Sequence, residues 1–376
     1  MNISDFSPRM DEMAAMLVRF AAIESPSTAK AAVDRMGAAV EAELQALGAR
    51  ITRHPQIGAG DHIEARWGQA AAPGQLPLLV LCHLDTVFDL GTLQHFPLRQ
   101  ENGVLHGPGV FDMKGGIVVF LYAMRHLIGR SAGLRPLIAL FTSDEETGSA
   151  TSHGLIEALG RSSAAAFCLE PALPGGELKT ARKGTGDIEI VARGRAAHAG
   201  TDHEKGRNAI EELAHHILAV QALTDRAKGT TTNAGVVSGG TRSNVVPDEA
   251  RLLVDFRVES AQEAARLQAW AAGLRPVIDG CTVEVRFSQD RPPMPRTALM
   301  AAAFHKAQAI ARPLGLELEE GSTGGGSDAN LVAPLGIPVL DGLGVRGGGA
   351  HSEGEHMQLD SLPERAALLA ALISEW

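Results

Sequence analysis

Five side chains of metal-ligating type stand just past the ends of apolar runs or turns in this 376-residue chain. The run Leu78 to Cys82 ends in His83-Leu84-Asp85, and the Gly107-Pro108-Gly109 turn delivers Asp112 ahead of an apolar helix. Pro136 to Phe141 leads into Asp144-Glu145-Glu146, Ala164 to Leu169 leads into Glu170, and His351 follows a glycine-rich stretch. Imidazole nitrogen and carboxylate oxygen are donors that zinc accepts, and paired metals commonly share a bridging carboxylate. His83, Asp112, Glu146, Glu170 and His351 would give each of two ions one His, one terminal carboxylate and half of a bridging Asp. Without cations, carboxylates converging this way would repel and raise one another's pKa values. Asp85 leaves an extended segment on the same face as His83 and is expected to accept its second ring N–H. Glu145 and Glu146 are adjacent and point apart, so one can bind metal while the other faces water as general base. Singly, each residue reads as a core His, a solvated loop or a helix N-terminus. Together, four such sites with complementary donors read as a two-metal hydrolase.

The elements that must position them follow from periodicity. Met10 to Ala22 and Ala29 to Leu47 carry apolar residues at helical spacing, and Gly48 closes the second helix. Short alternating segments flank Gly58 to Asp61, as in a hairpin or edge pair. From Leu76 to Leu169 strands and helices alternate, which implies an α/β fold with a mainly parallel sheet. Beyond Lys179 to Thr185 the order becomes strand, helix, strand, strand, helix, strand, the ferredoxin-like α+β arrangement. Arg291 to Pro295 reads as a stiff linker back to the first domain. The expected division is a catalytic domain at 1–182 and 289–376, with a second domain inserted at 183–288.

Composition narrows the class. The formal charge is 34 − 44 = −10, with no basic run, which speaks against nucleic-acid and anionic-membrane partners. Three cysteines without CxxC spacing suggest neither a disulfide framework nor a thiolate metal site. MNISDFSPRMDE lacks the pattern of a secretory signal, and Gly116 to Met124 is too short to span a bilayer. A cytoplasmic protein is the expectation.

The segments HLDTV (83–87), GPGVFDMKGG (107–116), TSDEETGS (142–149), LEP (169–171), AAHAG (196–200), SNVVPDEARLLVDFR (243–257), TGGGSDAN (323–330) and AHSEGEHM (350–357) carry a resemblance. In order, across nearly the whole chain, they resemble the aminoacylase and glutamate carboxypeptidase family of co-catalytic zinc hydrolases. The Asp-Glu-Glu block, the glycine loop and Arg291-Pro292 are most similar to its folate-hydrolysing branch. The resemblance implies a di-zinc catalytic domain (two Zn2+ per subunit, with Co2+ or Mn2+ as alternatives) and an inserted ferredoxin-like lid that makes a homodimer. One zinc would be held by His83, Asp112 and Glu170, and the other by Asp112, Glu146 and His351, with Asp112 bridging. Glu145 would be the general base, Asp85 would orient His83, and His198 would hydrogen-bond the oxyanion. Asn244, Arg257 and Arg291 would bind a substrate carboxylate, which the backbone of Gly325 and Gly326 would approach.

One position departs from the family. Where a Lys is expected after the Glu-Pro segment, an ungapped count reaches Glu177, with Lys179 and Arg182 nearby. The activity expected is a carboxypeptidase or amidohydrolase that releases a C-terminal amino acid, glutamate by resemblance, from a small N-acyl or peptidyl substrate. A dipeptidase or N-acyl-amino-acid deacylase is the alternative within enzymes. A metal-bound amino-acid-binding protein is the alternative outside them, disfavoured by the retained Glu145.

Overall fold

The computed structural model describes residues 1–68, 74–128 and 135–376, and the chain divides into two compact units. Unit 1 comprises Met1–Ala181, Arg296–Ser322 and Ser327–Trp376, and unit 2 comprises Arg182–Pro295 and Thr323–Gly326.

In unit 1, α1 (Met10–Ala21) and α2 (Lys30–Ala46) bury the stripes that define them, Met13, Met16, Leu17 and Phe20 in one and Val33, Met36, Val40 and Leu44 in the other. β1 (Arg50–His54) and β2 (His62–Trp67) pair antiparallel, and β3 (Leu78–His83) follows. A hairpin of β4 (Arg99–Glu101) and β5 (Val104–His106) leads through a kinked turn at Val110–Lys114 into α3 (Gly115–Ile128). Then come β6 (Leu137–Thr142), α4 (His153–Arg161), β7 (Ala165–Cys168) and β8 (Leu178–Arg182). After unit 2 the chain adds α7 (Ala298–Ala311), β13 (Glu320–Thr323), α8 (Ala329–Val332), β14 (Val339–Leu340), β15 (Gly347–Gly348), β16 (His356–Gln358) and α9 (Ser361–Glu375).

The main sheet has the order β1-β2-β6-β3-β7-β14, with β6, β3, β7 and β14 parallel. Every residue of β3, β6 and β7 is buried, because helices cover both faces of a parallel sheet. That is why these strands read as unbroken apolar runs rather than alternating ones. Since the three strands run the same way, the residues that leave their carboxyl ends emerge at one edge of the sheet. β16 pairs with β5 and with β15, which ties the glycine-rich segment before His351 to the approach to Asp112.

Unit 2 has its own core and the order β9 (Gly184–Arg193), α5 (Ala209–Gln221), β10 (Thr231–Gly239), β11 (Glu249–Val258), α6 (Ala261–Gly273) and β12 (Thr282–Arg291). Its sheet runs β10-β11-β9-β12 and all its pairs are antiparallel. Asn208 caps α5 by accepting the N–H groups of Ile210 and Glu211, at 3.0 and 3.1 Å.

The segment read as a linker behaves differently. β12 continues through Arg291, and the buried Met294 exchanges backbone hydrogen bonds with Arg182 at 2.9 and 3.0 Å. Residues 289–295 therefore group with unit 2 rather than with the first domain. The prolines stop helix and sheet continuation here without freeing the chain, because the backbone of buried Met294 is bonded both ways to Arg182. Among the described residues, no helix is long and apolar enough to cross a membrane.

Candidate metal centre

The five candidate ligands converge at the carboxyl edge of the main sheet. His83 ends β3, Glu146 lies in the turn after β6, Glu170 follows β7, Asp112 occupies the kink before α3, and His351 follows β15. The Asp112–Met113 peptide bond is cis. His83 Nε2 lies 3.1 Å from Asp112 Oδ1 and 3.4 Å from Glu170 Oε1. His351 Nε2 lies 3.4 Å from Asp112 Oδ2 and 3.1 Å from Glu146 Oε2. The two oxygens of Asp112 thus face two different triads, each with its ligand atoms within 4.8 Å of one another. Glu146 Oε1 is buried without a hydrogen-bond partner. An oxygen in that state is costly unless a cation satisfies it. The donor set, the split of Asp112 and the orphaned oxygen all fit a pair of divalent ions.

The electrostatics point the same way. Burial opposes charge on His83, yet hydrogen bonds to Asp112, Asp85 and Glu170 lift its pKa well above the usual imidazole range. Asp112 and then Glu146 push His351 up to about 11. Burial would raise Asp112, but His351 and His83 hold it far below the usual carboxylate range. Burial, the largest cause, raises Glu146 against the pull of His351. In the metal-free protein, protons on the imidazoles thus take the place that metal cations would occupy.

Close packing fixes the ligands. A Cβ at Gly116 would come within 2.2 Å of the Leu169 carbonyl oxygen, and one at Gly344 within 2.4 Å of it. Only glycine lets α3 and the 342–345 segment close on the strand exit that presents Glu170. His351 has a φ of 62°, a left-handed conformation that costs a non-glycine residue roughly 1–3 kcal/mol and tends to be kept at functional sites.

Asp85 does more than orient His83. Its main-chain oxygen is the nearer acceptor for His83 Nδ1, at 3.0 Å, with the carboxylate at 3.5 Å. The carboxylate accepts the N–H groups of Glu145 and Glu146, at 3.3 and 3.1 Å, and the Ser27 hydroxyl at 2.7 Å. Nδ1 is occupied as a donor, which leaves Nε2 as the coordinating nitrogen. Like Ser27, Glu355 and Lys114 of this region were not picked out from the sequence. Glu355, buried and pushed up to about 7 by that burial, accepts the N–H groups of Phe111 and Asp112 at 2.8 and 3.0 Å. Buried Lys114 donates to the Ile23 carbonyl at 2.7 Å. Glu355 lies inside the AHSEGEHM block, so a carboxylate four residues past a candidate ligand was the available signal.

The remaining candidates lie in unit 2. His198 Nδ1 accepts the N–H groups of Gly200 and Thr201 at 3.1 and 3.2 Å, so the neutral ring carries its proton on Nε2. The Asn244 carbonyl accepts the Ala199 N–H at 3.0 Å, which places Asn244 beside His198 in the fold. Arg257 and Arg291 are both in register with Thr185 across β11, β9 and β12. A Cβ at Gly326 would come within 2.6 Å of Arg291 Cδ, and buried Arg182 donates to the carbonyls of Gly325 and Gly326 at 3.1 and 2.8 Å. Arg257, Arg291 and the glycine loop therefore share one end of the unit 2 sheet. The Arg257 fork already has an internal partner, since its Nε and Nη2 donate to the Asp255 carboxylate at 3.1 and 2.7 Å. In unit 1, Glu177 accepts the Gly175 N–H at 3.0 Å in a turn, and Lys179 is buried.

A mainly parallel α/β sheet whose carboxyl edge gathers two imidazoles and three carboxylates around a shared Asp defines a hydrolase class that can hold two metal ions. The chain belongs to the Peptidase family M20/M25/M40, whose model matches residues 79–375. It is 31% identical over 384 residues to carboxypeptidase G2 of Pseudomonas sp. (strain RS-16), covering 98% of this chain and 91% of that protein. It is 29% identical to a succinyl-diaminopimelate desuccinylase of Xanthomonas oryzae pv. oryzae (strain MAFF 311018), over 85% of this chain and 88% of that one. Aminopeptidase PepT from Bacillus cereus ATCC 10987 has the same fold, with a TM-score of 0.77 at 22% identity over 97% of this chain and 98% of that chain.

Proposed function

We propose that this protein is a di-zinc amidohydrolase of the carboxypeptidase type, releasing a C-terminal amino acid, with glutamate the first candidate, from N-acyl or peptidyl substrates. The observation that carries this reading is Asp112 split between the His83–Glu170 and Glu146–His351 pairs, with Glu145 bonded through its N–H to Asp85 and acting electrostatically on His83. The relative named carboxypeptidase G2 supports the substrate class. Divalent ions bound by these residues would supply Lewis-acid polarisation of the scissile carbonyl and offset the carboxylate charge.

The chain's own groups do the rest. Glu145 is held at the site through its backbone N–H on Asp85. It removes a proton from the attacking water as the new C–O bond forms, then gives that proton to the departing nitrogen as the C–N bond breaks. His198, with its proton on Nε2, donates to the oxygen that gathers charge. Arg291 and the backbone at Gly325 and Gly326 receive the carboxylate of the leaving amino acid, with Asn244 and Arg257 assisting. Unit 2 acts as lid and dimerisation unit, and a homodimer is supported by Val236 and Val237 on edge strand β10, each 60% exposed. A cytoplasmic location accords with the sequence reading.

A second reading is favoured by the desuccinylase relative together with Glu177, which stands where a glutamate-specific pocket would want a cation. Under it the same machinery removes a dicarboxylic acyl group. Glu145→Gln tests both readings: it should lower turnover by at least about 100-fold while two metals per chain remain bound. Near wild-type turnover would take the proton-transfer role away from Glu145.

A further inference from the structure

We propose that Asp328 is a positioning residue for the Glu145–Glu146 turn. It would act from outside the metal centre by clamping Thr142 to Ser149, the two sides of the turn that carries the base and one ligand. The proposal rests on the reading of Glu145 and Glu146 given above.

The loop runs from the end of β6 at Thr142 to the start of α4 at His153, with Glu145 and Glu146 near its apex. Its path is sharply reversed. Gly148 has a φ of 94° and Ser149 one of 57°, a left-handed conformation that serine adopts only when its surroundings hold it there. Asp328, itself buried, supplies that hold. The Ser149 hydroxyl donates to one Asp328 oxygen at 2.5 Å, and the Thr142 hydroxyl donates to the other at 2.9 Å. A single carboxylate thus joins Thr142, where the loop begins, to Ser149, past its apex on the other side. Hydroxyls that donate to a buried carboxylate form short, strong bonds in a low dielectric, so they set the width of the loop base.

Two other carboxylates hold this loop, and neither does the same work. Asp144 Oδ2 accepts the N–H and hydroxyl of Thr151 at 2.6 and 2.7 Å and the Ser152 N–H at 3.3 Å, closing the loop on itself. Asp85 holds the apex through the N–H groups of Glu145 and Glu146. Asp85 and Asp328 both reach the loop from distant parts of the chain, but in the bonds described Asp328 meets Thr142 and Ser149, the feet of the turn, while Asp85 meets its apex. Its own seat is built by neighbours: the Ser327 N–H donates to the Asn330 side chain at 2.9 Å, and the Ser327 hydroxyl to buried Asp341 at 3.1 Å. A rigid second loop therefore holds the first. Displacement of about 1 Å at a catalytic group costs on the order of 100-fold in rate, so loosening the feet should appear in turnover before it appears in binding.

The test uses the zinc-loaded full chain, Asp328→Asn, and the double variant Thr142→Val with Ser149→Ala, which leaves Asp328 in place. An amide at 328 has one accepting oxygen where two hydroxyls now donate. We expect both proteins to bind two zinc ions, to lose about 10- to 100-fold in kcat and to keep KM within about twofold. In the metal-free proteins, amide hydrogen exchange should rise across 142–152 and stay at the wild-type level elsewhere. Unchanged kcat would overturn the proposal, and so would exchange that rises throughout unit 1, which marks a merely structural residue. If wild-type protein turned over no amide substrate, the functional reading would fall on its own. The metal-free exchange would still decide the clamp, since an unchanged 142–152 rate in both variants would remove it.

Discussion

At the scale of single residues, the site is a balance of charge that metal and protons can each satisfy. His351 is raised to about 11 by Asp112 and Glu146, from an ordinary value of 6.5. The folded metal-free chain therefore binds this proton more tightly than the unfolded chain does. The stabilisation is fully present below about pH 6.5 and is lost as pH rises toward 11. We predict that the melting temperature of metal-free protein exceeds that of metal-free His351→Ala most clearly near pH 6, and that the gap shrinks by about pH 9. A gap that widened with pH would show that the imidazole is not held charged. Metal binding must expel the same proton, so zinc affinity should fall as the medium is acidified.

The five candidate ligands were legible because each stands next to a local signal, an apolar strand, a kink-forming glycine turn or a glycine run. Glu355, Ser27 and Asp328 were not. Each acts on a group far away in sequence, 244 residues for Glu355 on Phe111 and 58 for Ser27 on Asp85. No spacing rule reports a contact that exists only after the sheet has formed. The role of Asp85 was half legible for the same reason: its neighbour His83 is local, while the amides of Glu145 and Glu146 arrive from β6.

At the scale of elements, β3, β6 and β7 were readable as buried parallel strands, since burial on both faces removes alternation and leaves continuous apolar runs. The end of β12 was not readable, because Arg291-Pro292-Pro293 resembles a boundary while Met294 is buried and backbone-paired with Arg182. β10 raises a different matter. It is an edge strand whose register shifts between Ala234 and Val236, leaving Val236 and Val237 both exposed in succession. Two adjacent β-branched residues on an open edge invite strand or helix contacts from another chain. Replacing both with Lys should leave the fold intact by circular dichroism and turn the proposed dimer into a monomer by sedimentation. A wild-type protein that sediments as a monomer at all concentrations would remove the dimer from the account.

At the scale of the whole molecule, the candidate residues are shared between two separately cored units. Unit 1 concentrates the metal-capable residues at one edge of a rigid parallel sheet, and unit 2 carries the imidazole, amide and guanidinium groups proposed to handle the substrate. Membership of the peptidase family accounts for the shared architecture, while the leaving group is proposed to depend on polar side chains such as Arg291, with the Arg257 fork already held by Asp255. Those residues were named from the sequence, but their partners were not, because a guanidinium reads the same whether it faces a substrate or an internal aspartate. The most direct test of the central claim is release of free amino acid by zinc-loaded protein. The substrates would be a panel of N-acyl amino acids and dipeptides varied at the C-terminal residue, each run with and without a chelator. Chelator-sensitive release, strongest from substrates ending in glutamate, is expected. Release that persists after both metals are stripped, or no release from any member while two metals are bound, would contradict it.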